Sequence, residues 1–188
     1  MVVLASASPR RAQILSALGV PHQVAVADVD EAFAPGERAE AGVERLARAK
    51  AAAVAAGGLP VLAADTVVVC DGVILGKPGT DEEAAAMLRR LSGRTHEVVT
   101  GVCLRRGEEA RSAHERTAVT FVELSDADVE WYVATGEPRD KAGAYHVDGR
   151  GAVFIARVDG SPSNVAGLPV TLVWRLAREL GVGLGATW

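Results

Sequence analysis

Residues 59–75 read LPVLAADTVVVCDGVIL. The run from Leu59 to Cys70 is almost continuously apolar, a pattern suited to a strand buried on both faces. Asp71-Gly72 is a strong two-residue hairpin signal, and Val73 to Leu75 reads as the short return strand. A strand buried on both faces and an antiparallel return together predict a mixed sheet. Asp65-Thr66 is the polar interruption. A carboxylate there must be paired, hydrogen-bonded, metal-bound or at a strand end facing a cavity. A turn or capping aspartate is the plain alternative.

On either side of this stretch, strand and helix patterns alternate. Val2 to Leu4 is an apolar strand that runs into small residues. Ser8 stands at an N-cap position and Pro9 at the first helical position. Ile14, Leu15 and Leu18 then recur at helical spacing, and Gly19 closes the helix. His22 to Val26 reads as a second strand. Gly36 to Ala56 reads as a helix with Val43, Leu46, Ala49 and Lys50 on one stripe. Thr80 and Glu83 fit a capping box for a helix through Leu91. His96 to Arg105 and Ala113 to Leu124 are strands joined by the turn Arg106 to Glu109. Ser125 caps a helix through Thr135. Ala152 to Val158 is another strand, and a helix from about Val170 to Leu180 follows. The prediction is an α/β fold. It is a single domain over residues 1–188, with a long mixed sheet flanked by helices around a cleft.

Composition narrows the function. The chain has 188 residues, 49% hydrophobic and 23% charged, with a formal net charge of −4. That charge argues against a general nucleic-acid or acidic-membrane binder, so any anion site is local. No run is long enough to span a bilayer, and Met1 to Ala7 lacks a secretory pattern. A cytoplasmic location is the expectation. Cys70 and Cys103 form no CxxC pair and read as reduced, buried strand residues.

Arg10 and Arg11 are the sharpest chemical signal. They sit in a first helical turn, where free N–H groups and the helix dipole already favour an anion. A polyanion docking there explains two arginines best. Ser8 is open to service as cap, phosphate ligand or both. Lys50 reads either as a site cation or as a lysine snorkelling from its stripe. Lys77, in the turn Gly76-Lys77-Pro78, is either a phosphate ligand or a solvated turn residue. Asp30-Glu31 is an acidic pair after the second strand. GxxxxGK[ST], GxGxxG, HExxH and GxSxG are all missing, and His22, His96, His114 and His146 form no ligand pattern. The remaining inventory sets Arg10, Arg11, Lys50 and Lys77 against Glu31 and Asp65. It fits a polyphosphate substrate with a divalent hard cation, the carboxylates holding metal and activating water.

Six segments in order resemble the Maf family: SASPRR (Ser6–Arg11), ADTVV (Ala64–Val68), GKP (Gly76–Pro78), SGRTHEVVTG (Ser92–Gly101), EPRDKAGAY (Glu137–Tyr145) and GSPSNVAGLP (Gly160–Pro169). The resemblance implies an inosine-triphosphate-pyrophosphatase-like fold, often a homodimer. It implies a cytoplasmic house-cleaning hydrolase that cleaves nucleoside triphosphates to monophosphate and pyrophosphate, using Mg2+ or Mn2+. It puts the catalytic base at Asp65, phosphate contacts at Arg10, Arg11, Lys50 and Lys77, an acidic residue near the metal at Glu31, and a specificity-linked residue at Thr66. DKAGAY is similar to the dTTP- and UTP-acting branch. That branch typically continues Gly-Ile-Gln-Gly, whereas this chain has His146-Val147-Asp148-Gly149, which makes Asp148 the residue to watch for base choice. The rival reading is a non-catalytic nucleotide-binding regulator of septum formation, tied to cell-division arrest.

Overall fold

The computed structural model describes Met1 to Gly185, so the last three positions of the expected 1–188 domain lie outside the described residues. Its sheet is mixed and seven-stranded: β1 (Val2–Leu4), β2 (His22–Val24), β3 (Val61–Cys70), β4 (Val73–Leu75), β5 (Thr95–Arg106), β6 (Glu109–Phe121) and β7 (Ile155–Asp159). The order is β2-β1-β3-β5-β6-β7, with β4 paired to β3. The helices are α1 (Pro9–Ala17), α2 (Ala39–Ala53), α3 (Asp81–Leu91), α4 (Asp126–Ala134), α5 (Pro162–Val165) and α6 (Val170–Glu179).

Local chemistry explains the registers. β1 runs parallel to β2, Val2 opposite His22, and parallel to β3, Leu4 opposite Leu62. β3 is buried along nearly its whole length, as its apolar run predicts. Asp71 and Gly72 both take positive φ, at 50° and 74°. That is the combination a tight primed hairpin turn needs, and it sets Cys70 opposite Val73.

The chain divides into two compact units. The first holds Met1–Asp65, Thr100–Glu115 and the segment from Gly167 onward. One of its cores joins Leu4, Leu15, Leu62 and Leu104 to the apolar face of α6, namely Leu172, Val173, Leu176 and Ala177. A second joins Val3, Ala63 and Cys103 to Ala47 and Ala51 of α2. A Cβ on Gly101 would come within 2.4 Å of the Val43 backbone, so α2 lies directly on β5 there. The second unit holds Thr66–Val99 and Arg116–Ala166. Its core gathers Val68, Leu88, Leu91, Phe121, Tyr132, Tyr145 and Phe154. Cys70 and Cys103 are free and buried.

Four local expectations are corrected. The helix expected over Gly36–Ala56 is shorter at both ends. Gly36 takes φ 74° and stays outside it. At the other end Arg105 draws off the carbonyls of Ala51 and Val54. At α3, Thr80 caps Glu83 N–H, but the Glu83 carboxylate accepts from Gly79 instead of returning to Thr80. Ser8 occupies the N-cap position of α1 without a side-chain cap bond. Finally, the strand expected from Ala152 begins only at Ile155, and Arg150–Phe154 forms a 3₁₀ turn. The Glu137 carboxylate accepts the N–H groups of Arg150 and Gly151, which gives that backbone local partners in place of a ladder. At α4 the expected cap is complete, with Ser125 and Asp128 bonded reciprocally.

Candidate active site

The first unit assembles a buried polar cluster where β1, β3, α1 and α2 converge. β1 ends in a tight bend, with Ser6 N–H donating to Leu4 O and Ser8 N–H to Ser6 Oγ. Pro9 then opens α1, which places Arg11 in the first turn. Arg11 is buried. Its Nε donates to Gly167 O at 2.7 Å, and its Nη1 donates to Ala64 O at 2.8 Å and Ser6 Oγ at 3.0 Å. The guanidinium therefore ties α1 to the residue before Asp65 and to the chain entering α6.

Asp65 lies at the middle of β3, buried at 7% exposure. Lys50, in the last turn of α2, is buried at 6%. Its Nζ lies 2.6 Å from Asp65 Oδ1 and 2.8 Å from Glu31 Oε1. The snorkelling alternative for Lys50 is thereby overturned: its head is spent on two carboxylates, as a buried ammonium requires. Glu31 sits on the segment between β2 and α2 and is half-exposed. Burial pulls the Arg11 guanidinium down from its ordinary range, and the charges of Asp65 and Glu31 oppose that pull. Two acids and two bases thus neutralise one another locally.

The arrangement gathers Ser6, Arg11, Glu31, Lys50 and Asp65. Arg10 is partly exposed, one position before Arg11 in the same turn. Thr66, Lys77 and Asp148 fall in the second unit. Thr66 is partly buried on β3, Lys77 is exposed in the turn after β4, and Asp148 is exposed on the segment after Tyr145. Sequence reasoning did not assign the carbonyl of Gly167 or the hydroxyl of Ser6 as anchors for Arg11. It also missed the Tyr132–Glu137 pair. Tyr132 donates to Glu137 Oε1 at 2.8 Å and accepts from His146 N–H at 2.9 Å. Burial raises the Glu137 carboxyl, but bonds from Tyr132, Arg150 N–H and Gly151 N–H outweigh it and hold the group below its ordinary range. Its motif EPRD is visible in the sequence, whereas nothing local marks Tyr132 as its partner.

The carboxylates of Glu31 and Asp65 reach one cation, Lys50 Nζ, so they can serve a common point. Among the described residues no group of three or more His, Cys, Asp or Glu side chains is placed to hold a metal ion. Two carboxylates completed by substrate phosphate oxygens suit Mg2+ or Mn2+, and the donor set fits on that condition.

A family model described as Maf-like protein matches residues 1–180, and the chain belongs to that family. Among its relatives, the dTTP/UTP pyrophosphatase of Anaeromyxobacter sp. (strain Fw109-5) is 53% identical over 185 residues, covering 96% of this chain and 89% of the relative. The dTTP/UTP pyrophosphatase of Symbiobacterium thermophilum is 50% identical, covering 96% and 94%. That of Myxococcus xanthus is 50% identical, covering 98% and 94%. Among the described residues no helix is long and apolar enough to cross a membrane.

Proposed function

We propose that this chain hydrolyses nucleoside triphosphates to the monophosphate and pyrophosphate, acting on dTTP and UTP as the names of its relatives suggest. The observation that carries the reading is the buried Asp65–Lys50–Glu31 arrangement beside the first turn of α1. Asp65 is the base that takes the proton from the water attacking the α-phosphorus. Lys50 orients Asp65 Oδ1 and brings Glu31 to the same point. Arg10 and the N–H groups of the first turn of α1 offset charge on the phosphates. Arg11 acts mainly by holding that turn against β3. Glu31 and Asp65, together with the phosphates, would hold a divalent cation, which would supply further charge neutralisation. The roles of Lys77 and Thr66 rest on the family resemblance, that of Ser8 on its place at the start of α1, and that of Asp148 on its departure from the pattern of the dTTP- and UTP-acting branch. A homodimeric state rests on the resemblance, and action as one domain over residues 1–188 and a cytoplasmic location rest on the sequence pattern and composition.

The test follows UTP by 31P NMR with Mg2+ present. UMP and pyrophosphate are the expected products. Release of orthophosphate, or binding without turnover, overturns the reading.

A further inference from the structure

The segment between Val24 and Ala39 contains no helix or strand, yet it carries Glu31. Its residues are mostly exposed, and long irregular connections of this kind must be held by specific contacts. The contacts are concentrated on one side chain of α2. Arg45 Nη2 donates to Ala32 O at 3.0 Å, immediately after Glu31. The same guanidinium makes a two-pronged pair with Glu37, Nε to Oε1 and Nη2 to Oε2, both at 2.7 Å. Glu37 Oε2 in turn accepts Ala34 N–H at 3.0 Å, and Asp30 Oδ1 accepts Ala32 N–H at 2.9 Å. Phe33 completes the clamp. Its ring lies against Gly42, where a Cβ would come within 2.1 Å of Cε1. Contacts that follow Glu31, at Ala32, Phe33 and Glu37, thus bind the segment to the helix that also carries Lys50, and the Asp30 bond to Ala32 N–H closes the turn across Glu31.

An isolated exposed ion pair contributes little. This one differs because the fork is bidentate and also takes a backbone carbonyl. Glu37 is held down to about 2, first by the bond from Arg45 and then by Ala34 N–H, consistent with a tightly made pair.

We propose that Arg45, through Ala32 and Glu37, is the positioning residue that holds Glu31 at Lys50, with Gly42 left without a side chain so that Phe33 can lock the segment onto α2. The inference rests on the reading of Glu31 as part of the active site.

The test is a cycle of Arg45→Ala and Glu31→Gln, with kcat and KM for UTP measured across Mg2+ concentrations. Arg45→Ala is expected to lower kcat/KM about tenfold and to raise the Mg2+ needed for half-activation. On the Glu31→Gln background it is expected to change nothing further. Arg45→Lys, which keeps charge but loses the fork, is expected not to restore activity. Amide hydrogen exchange of residues 30–37 is expected to speed up in Arg45→Ala at unchanged melting temperature. A second pair guards against a generally damaged helix: Gly42→Ala is expected to impair turnover strongly with Phe33 present and weakly alongside Phe33→Ala. Equal losses from Arg45→Ala on both backgrounds, or unchanged exchange, overturn the clamp. If Glu31→Gln alone leaves turnover intact, the active-site reading of Glu31 falls, and the exchange measurement still judges the clamp separately.

Discussion

Lys50 Nζ lies 2.6 Å from Asp65 Oδ1, and both side chains are shielded from water. A buried ion pair adds little net stability compared with an apolar pair, but breaking it leaves a charge uncompensated. The pair is therefore expected where both charges are needed for chemistry. Asp65→Asn preserves shape while removing the proton acceptor. Turnover is expected to fall at least ~100-fold in a folded protein, with the loss in kcat. Steady-state kinetics alongside circular dichroism check this, and near-native turnover in the folded variant removes Asp65 as the base.

The two adjacent arginines are expected to separate cleanly. Arg11→Ala strips donors from the buried carbonyls of Ala64 and Gly167. Losing charged hydrogen bonds of this kind costs on the order of 3 kcal/mol or more, so the melting temperature is expected to drop markedly. Arg10→Ala is expected to stay within about 0.5 kcal/mol of native stability, because its side chain is partly exposed and its charge opposes the dipole. Its effect is expected as a raised KM for triphosphate. Thermal melts and kinetics on both variants decide the matter, and equal melting temperatures refute the distinction.

How far the sequence carried the reading differs by residue. The buried strand, the primed turn at Asp71-Gly72 and the Ser125 cap were legible because each depends on neighbours in the chain. Asp65 was legible because a carboxylate amid Val and Ala demands a partner. Which partner it takes was not, since Lys50 reaches it only through the packing of α2. The structural difference between Arg10 and Arg11 was hidden for the same reason. Nothing local distinguishes them, and the acceptors of Arg11 at Ala64 and Gly167 come from distant segments. The 3₁₀ turn before β7 escaped because Glu137, well upstream, supplies its hydrogen-bond acceptors.

His96 predicts a pH dependence of stability. Its ring is buried against Phe121 and Tyr145, its Nε2 is bonded to the Tyr145 hydroxyl at 2.9 Å, and its Nδ1 has no hydrogen-bond partner among the described residues. Burial lowers its pKa from 6.5 to about 4. Between those values the unfolded chain binds the proton and the folded one does not. The stability tied to neutral His96 is therefore fully present above pH 6.5 and is lost as pH falls toward 4. Relative to His96→Gln, the native chain is expected to lose on the order of 2 kcal/mol more between pH 7 and pH 5. Urea unfolding of both proteins at the two pH values measures the difference, and a constant gap means that His96 is not held neutral by burial.

Base choice turns on Asp148. The segment that carries it is anchored from within the second unit. Tyr132 accepts His146 N–H, while Glu137 accepts Tyr132 O–H and the N–H groups of Arg150 and Gly151. An ionised aspartate only accepts hydrogen bonds, whereas a glutamine also donates. On the proposal that Asp148 faces the base, it opposes the carbonyls of uracil and thymine and favours bases that present amino groups. A mispaired polar group costs on the order of 1–3 kcal/mol, a factor of roughly 5 to 150. Asp148→Gln is therefore expected to raise the kcat/KM ratio of UTP over CTP and GTP. Tyr132→Phe, which removes the hydroxyl that bridges Glu137 and His146 N–H, is expected to flatten that ratio in the native background by loosening the segment. Measuring the ratio across the three nucleotides for the native chain and both variants decides it. If Asp148→Gln leaves the ratio unchanged, Asp148 does not read the base. If only Tyr132→Phe leaves it unchanged, the anchoring network serves folding rather than selection.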